Sequence, residues 1–226
     1  MVLYIYRKKP VRIKKKSVVL PSLFLTSGIL LLFLVVWPIL TFEFFLGSKL
    51  KTEIVSPLGF QPQVLGVQTN LNLATNWFPG TLPKITASKI TSYTLSIPVL
   101  GIKDATVVNN DEDLTKHLVQ WGGTGNPGEA GSTVIFGHSV LPAFFDPKNY
   151  TTIFSTLPTI KEDSDIYVYY DGITYRYRVM EMKVIDPKDI SVLEQSFDNS
   201  YLSLVTCVPP GTYWKRLVVK ARLIKI

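Results

Sequence analysis

The sequence predicts a mainly β protein of seven or eight short strands, arranged as a sandwich or a closed barrel and preceded by one transmembrane helix. The strands are predicted by short runs rich in Val, Ile, Thr and Tyr, which are bounded by Gly, Pro, Asn and Asp. Alternation of polar and apolar residues in Tyr175–Val179 and Lys220–Ile224 is typical of half-buried strands. The helix is predicted by the uncharged run Ser17–Phe42.

The N-terminus is a basic tail followed by this apolar run. Of the 24 Lys and Arg residues, seven precede the first acidic residue, Glu43, and the other 17 equal the 17 Asp and Glu residues in number. The excess charge behind the pI of 9.3 therefore lies in one short tail, which argues against a nucleic-acid-binding surface. Under the positive-inside rule, residues 1–16 are cytoplasmic and the chain beyond about Glu43 is extracellular.

We interpret residues 17–45 as an uncleaved, single-pass signal anchor in the cell membrane. About 26 apolar residues exceed the length needed to cross a hydrocarbon core of roughly 30 Å. A cleaved signal peptide would have a shorter apolar region and a small-residue cleavage site, whereas bulky aromatic residues follow this run. A buried core helix fits poorly with so long and unpatterned a segment.

Residues 46–90 form a stalk or leader rich in Pro, Thr, Asn and Gly, without a sustained period. Trp77 and Phe78 in this segment are candidates to dock on the following domain, as a cover or a brace. The alternative is that the segment is a spacer.

Residues 91–226 carry the predicted strands of one domain. The runs DIYVYY and TYRYRVM, joined through Asp171-Gly172, predict a hairpin with an Asp-Gly turn. Helix is predicted at Asp111–Trp121, with a turn near Asn149–Leu157 and a short helical piece at Asp189–Leu193.

The single cysteine, Cys207, is either inert packing or a reactive thiol, because outside the membrane cysteines usually pair. If the segments before and after Pro209-Pro210-Gly211 form a hairpin, Cys207 and Arg216 become cross-strand neighbours on one face. A guanidinium there would favour the thiolate and could donate to an oxyanion. Of the two histidines, His138 follows a predicted strand end, where scaffolds often present reactive groups, whereas His117 lies in the predicted helix.

A metal site has no support in the sequence, since one cysteine and two distant histidines form no ligand pattern. Gly122-Gly123-Thr124-Gly125 lacks the Lys of a phosphate-binding loop. We therefore expect no cofactor.

The chain resembles the sortase family of cysteine transpeptidases. The resemblance rests on VIFGHS (Val134–Ser139), LSLVTC (Leu202–Cys207) and RLVV (Arg216–Val219), in that order, and covers about Tyr93 to Ile226. It implies a closed eight-stranded β-barrel in which Cys207 is the nucleophile, His138 the general acid and base, and Arg216 the cation that stabilises the oxyanion. It also implies a substrate groove, lined here by Val134, Phe136, Val192, Leu193, Val205 and Thr206.

The activity implied by the resemblance is cleavage of an LPxTG-like sorting signal between Thr and Gly. A thioacyl-enzyme forms and an amine resolves it, which attaches a surface protein to a cell-wall precursor or a pilin lysine. The partners would be sorting-signal-bearing proteins, that amine acceptor and the bilayer. Some members bind calcium, but the counterparts here are Ser96, Val99 and Gln195, so we expect no calcium dependence.

Two other functions stay open. A hydrolytic cysteine peptidase of the papain-like type would place its Cys before its His and at a helix N-terminus, the reverse of the order here. A non-catalytic exported β-domain for adhesion or assembly would use Cys207 only for packing.

Overall fold

The computed structural model describes residues 16–42, 44, 51–52, 70–78 and 90–224. The chain divides into two compact units, Met1–Leu40 and Thr41–Ile226. Helix α1 (Lys16–Thr41), which belongs to the first unit up to Leu40, contains the apolar stretch Val19–Thr41, whose mean hydropathy of 2.5 and length suit a membrane span. The basic tail before it, predicted to be cytoplasmic, lies almost entirely outside the described residues.

The second unit is a mixed β-sheet that closes on itself. Its described strands are β1 (Lys51–Thr52), β2 (Ser92–Ile97), β3 (Ile102–Asn109), β4 (Leu118–Gln120), β5 (Gly131–Phe136), β6 (Asp165–Tyr170), β7 (Ile173–Ile185), β8 (Ser200–Val208) and β9 (Lys215–Leu223). They are ordered β1-β7-β6-β2-β3-β4-β5-β8-β9, and β7 also pairs with β9. That last pairing closes β2 to β9 into an eight-stranded barrel, which confirms the predicted fold class.

The hairpin predicted at Asp171-Gly172 is present between β6 and β7, which pair antiparallel up to Tyr170 and Ile173. Asp171 and Gly172 have φ values of 51° and 75°, the left-handed conformation that two-residue hairpin turns require. Asp and Gly tolerate this conformation, which explains why the dipeptide located the turn correctly.

The helix predicted at Asp111–Trp121 is wrong. Residues 111–117 form turns in which Asp111 and Asp113 accept hydrogen bonds from backbone N–H groups one or two residues further on. Leu118–Gln120 is β4, which pairs with β3 and β5. Aspartate side chains that accept hydrogen bonds from nearby amides favour turns over helix. Pairing with two neighbouring strands then makes Leu118–Gln120 a strand. The short piece predicted near Asp189–Leu193 is a single 3-10 turn, Ser191–Leu193.

Two buried apolar clusters lie on opposite faces of the barrel wall. The larger fills the barrel with inward-facing residues such as Leu95, Val107, Ile135, Leu204 and Val219. The smaller lies on the outer face of β5, β8 and β9 and contains Val134, Phe136, Val205, Cys207 and Val218. Because side chains alternate along a strand, neighbouring residues of β8 belong to different clusters.

Candidate active site

Cys207 and Arg216 face each other across the β8–β9 pair. The register pairs Cys207 with Arg216, Val205 with Val218 and Ser203 with Lys220. The cross-strand pairing predicted from the sequence is therefore present. Both side chains lie on the outer face, and Cys207 and Arg216 are only 1% and 3% exposed.

His138 is held against the cysteine strand by its neighbours. The Gly137 N–H donates to the Val205 carbonyl at 3.1 Å, and the Thr206 hydroxyl donates to the Gly137 carbonyl at 2.8 Å. On the other side, the Ser139 hydroxyl donates to the Cys207 carbonyl at 2.7 Å. These three bonds fix the backbone before and after His138 directly to β8.

Gly137 is required by close packing rather than by backbone conformation. A Cβ atom there would lie 2.5 Å from the Phe154 ring and 2.6 Å from Leu118 Cδ2. These contacts are far inside the usual van der Waals separation, so a larger residue would push the loop, and His138 with it, away from β8.

The predicted groove residues are brought together, with one exception. Val134, Phe136 and Val205 are fully buried in the outer cluster, and Val192 and Leu193 pack against its edge from the 3-10 turn. Thr206 is not on this face: it points the opposite way from Cys207, and its hydroxyl bonds the Gly137 carbonyl. Its observed contact supports His138 rather than a ligand.

A short N-terminal segment, residues 70–78, covers this site; we call it the cover segment. The N–H of Ala74 donates to the Glu112 carbonyl, and the N–H of Leu114 donates to the Asn72 carbonyl, both at 2.9 Å. The Thr75 hydroxyl adds a bond to a Glu112 carboxylate oxygen at 3.0 Å. The segment is thus fastened like a short strand to the turns before β4.

Two aromatic side chains of the cover segment fill the groove. Trp77 and Phe78 are both fully buried, and each packs edge-on against Phe136, with ring centroids 5.6 and 5.7 Å apart. The Trp77 ring also lies 5.8 Å from the His138 ring, and the Arg216 guanidinium carbon lies 5.0 Å from its centroid. Trp77 therefore contacts two of the three residues predicted to be catalytic.

Burial at this site favours the neutral forms of the Cys207 thiol and the His138 ring. It raises the pKa of Cys207 to about 11, although Arg216 acts in the opposite direction. It also lowers the pKa of His138, an effect that the Asp113 carboxylate partly opposes. The sequence suggested a thiol activated by Arg216, but it did not reveal that burial of Cys207 outweighs that effect on its pKa.

Two buried nitrogen atoms at the site have no hydrogen-bond partner among the described residues. They are Nε2 of His138 and Nε of Arg216. Buried polar atoms are normally paired, and unpaired ones need an explanation. A thiol paired across two strands with an arginine, with a histidine held to the cysteine strand by its neighbours, has the composition needed for acyl transfer through a covalent intermediate.

Comparisons with known proteins agree with this geometry. A family model described as a sortase domain matches residues 91–224, more than half of the chain. A search of curated proteins finds no significant match.

Several solved structures share the fold. A lid mutant of sortase A from Corynebacterium diphtheriae is 26% identical, with 62% of this chain and 73% of that chain covered and a TM-score of 0.53. Sortase C from Clostridium perfringens SM101 is 25% identical over 63% of this chain and 73% of that one, with a TM-score of 0.51. A sortase D5 transpeptidase from Clostridium perfringens, 23% identical over 63% and 83% of the two chains with a TM-score of 0.51, supports the fold alone.

Proposed function

Because the chain belongs to the sortase family, we propose that it is a membrane-anchored cysteine transpeptidase that cleaves an LPxTG-like sorting signal between Thr and Gly. The observation that carries the proposal is the register of β8 and β9, which pairs Cys207 with Arg216 at one end of an apolar groove. In this account α1 anchors the enzyme with its N-terminus in the cytoplasm and its barrel outside.

In the first half-reaction, the neutral Cys207 thiol gives its proton to His138 as Sγ attacks the carbonyl carbon of the Thr residue. Negative charge develops on the carbonyl oxygen, where the Arg216 guanidinium can donate a hydrogen bond to it. His138 then protonates the departing Gly amine, and the C–N bond breaks to leave a thioester on Cys207.

In the second half-reaction, an amine of a cell-wall precursor or a pilin lysine attacks the thioester. His138 accepts the proton from this amine, and the Cys207 thiolate leaves as the amide forms. Water in place of the amine would give a free acid, so the product distinguishes a transpeptidase from a peptidase.

We also propose that the cover segment is a lid that must move before substrate binds. Trp77 and Phe78 occupy the apolar groove that a peptide would need, and Arg216 faces the Trp77 ring. Burying an apolar side chain such as Phe78 stabilises the closed position by about 1.5–3 kcal/mol. The closed site is therefore stable, yet it can open at a moderate cost in free energy. A sortase structure described as a lid mutant is among the similar structures.

The experiment that tests this function uses the full-length protein in detergent. It would be mixed with LPxTG-type peptides and a panel of amines, and the products followed by mass spectrometry, with Cys207→Ala beside the wild type. An amide product and a peptide thioester on Cys207 are expected. A folded protein whose Cys207 never carries peptide, across a library of pentapeptides, would favour the non-catalytic β-domain instead.

A further inference from the structure

The groove extends beyond its apolar part into a polar cleft. This cleft has a volume of about 150 Å³. Its lining residues are Ser132, Glu181, Lys183, Ile185, Ser191, Val192, Glu194, Ser203, Val218 and Lys220. Val192 and Val218 also belong to the apolar groove or its edge, so the two spaces are continuous.

The strand register sets the distance between this cleft and the nucleophile. Moving along β8 from Cys207 by two residues reaches Val205, the partner of Val218, and two more reach Ser203, the partner of Lys220. At roughly 3.3 Å per residue, Ser203 lies about 13 Å along the strand from Cys207. The neighbouring strand β5 presents Val134 opposite Ser203.

An extended peptide bound along the strands has nearly the same rise per residue. If its attacked Thr is at Cys207, a residue two or three positions earlier reaches the Val205 level, where the groove is apolar. A residue four or five positions earlier reaches the Ser203 level. In an LPxTG-like signal this is the residue immediately before the motif or the one preceding it.

The chemistry of the cleft floor favours a hydrogen-bond acceptor. The Ser203 and Ser132 hydroxyls are buried and 3.5 Å apart, at the limit of a hydrogen bond. Beside them, the Lys220 ammonium lies 4.5 Å from the Tyr201 ring centroid, which holds the charge at the cleft. The lining also includes two carboxylates: Glu194, which is exposed, and Glu181, the cross-strand partner of Lys220.

We propose that this cleft is a second specificity subsite, which binds a carboxylate or amide side chain just upstream of the sorting motif. The inference rests on the proposed transpeptidase function and adds a position to its substrate. Lys220 and Ser203 are the residues that donate to the ligand, and the apolar groove between them and Cys207 sets the spacing.

The test compares peptides that differ only at the residue before the motif: Asp, Asn, Leu or Lys. With the wild-type full-length protein, we expect kcat/KM for Asp and Asn to exceed that for Leu by about tenfold, because a hydrogen bond to a charged donor is gained. Lys220→Met keeps the aliphatic stem and should remove most of this preference. The matched control Lys188→Met, on an exposed loop outside the cleft, should leave it unchanged.

Turnover of the Leu peptide distinguishes failure of the subsite proposal from failure of the proposed transpeptidase activity. If it is turned over but all four peptides react equally, or if Lys is preferred, the subsite is refuted while the transpeptidase stands. A preference for the Asp and Asn peptides over the Leu peptide that persists in Lys220→Met and Ser203→Ala would also refute the subsite. If no peptide is turned over, binding of fluorescent peptides to Cys207→Ala still tests the subsite, and equal affinity for all four would overturn it.

Discussion

The Arg216 guanidinium faces the ring of Trp77, with 5.0 Å between the guanidinium carbon and the ring centroid. Arg216 therefore lies beside two groups: its cross-strand partner Cys207 and the Trp77 ring of the cover segment. A cation held over an indole ring in a buried place is attracted by about 2 kcal/mol. The same guanidinium that we propose stabilises an oxyanion therefore also helps to hold the cover closed.

Replacing Trp77 with Ala should expose and activate the thiol. Burial is what raises the pKa of Cys207 to about 11, so removing the ring should lower this pKa and make thiolate available at lower pH. The rate of alkylation by iodoacetamide, measured from pH 6 to 11, should rise at neutral pH and its midpoint should shift downward. Trp214→Ala removes a tryptophan that is 62% exposed and serves as the control. An unchanged pH profile in Trp77→Ala would contradict the role of the cover.

His138 should titrate below the usual histidine pKa of about 6.5. Burial disfavours the imidazolium, so the ring stays neutral to lower pH than it would in water. The NMR signal of the His138 ring measures this directly, and His117→Gln identifies the signal of the other histidine. Asp113→Asn should lower the midpoint further, since the Asp113 carboxylate favours the charged ring. A midpoint above 6.5 in the wild type would contradict the burial that the structure shows.

Arg216→Lys should lower kcat more than it raises KM. Lysine keeps the charge but not the planar group of donors, and losing an oxyanion donor typically costs about 10²–10³-fold in kcat. Steady-state kinetics with the best peptide provide the measurement, and Arg222→Lys, on the same strand but exposed, is the matched control. An equal loss of kcat in Arg216→Lys and Arg222→Lys would indicate that any such substitution disturbs the strand, and would contradict a specific role of Arg216.

Thr206→Val should disturb His138 through the loop that holds it. The substitution keeps the shape of a fully buried side chain but removes the hydroxyl that donates to the Gly137 carbonyl. An unsatisfied buried carbonyl costs about 1–3 kcal/mol of unfolding free energy, which a thermal or urea unfolding curve would detect. Turnover should fall as well, and the His138 NMR signal should shift.

Thr174→Val, at an exposed position of β7, is the control for the effect of replacing a strand threonine with valine. If Thr206→Val loses stability but keeps full turnover and an unshifted His138 signal, the hydroxyl is structural and does not position the histidine.

Local patterns were sufficient to predict every strand of the barrel except β4, and also the Cys207–Arg216 pair. Both depend on features carried by adjacent residues: alternation along a strand, the Asp171-Gly172 turn and the Pro-Pro-Gly connection. The predicted helix at Asp111–Trp121 was wrong because β4 is defined by its pairing with β3 and β5, which a local pattern does not reveal.

The protonation state of Cys207 was harder to predict than the identity of the site residues. The neutral thiol results from burial in a cluster that also contains Trp77, which lies 130 positions before Cys207 in the chain. Bonds between the cover segment and Glu112 and Leu114 bring Trp77 there, and the sequence offered only two aromatic residues in an irregular segment. Ser139 was likewise missed as a contributor, although it directly follows His138 in the motif.

The central claim is that Cys207 carries the acyl group between a sorting signal and an amine. The most direct measurement is intact-protein mass spectrometry of the full-length protein after mixing with an LPxTG-type peptide, first without and then with an added amine. We predict a mass increase equal to the peptide cleaved after Thr, located on Cys207, which disappears when the amine is added and an amide product forms. A free-acid product that is unchanged by any amine would identify a peptidase. Amide formed equally by Cys207→Ala would contradict the account altogether.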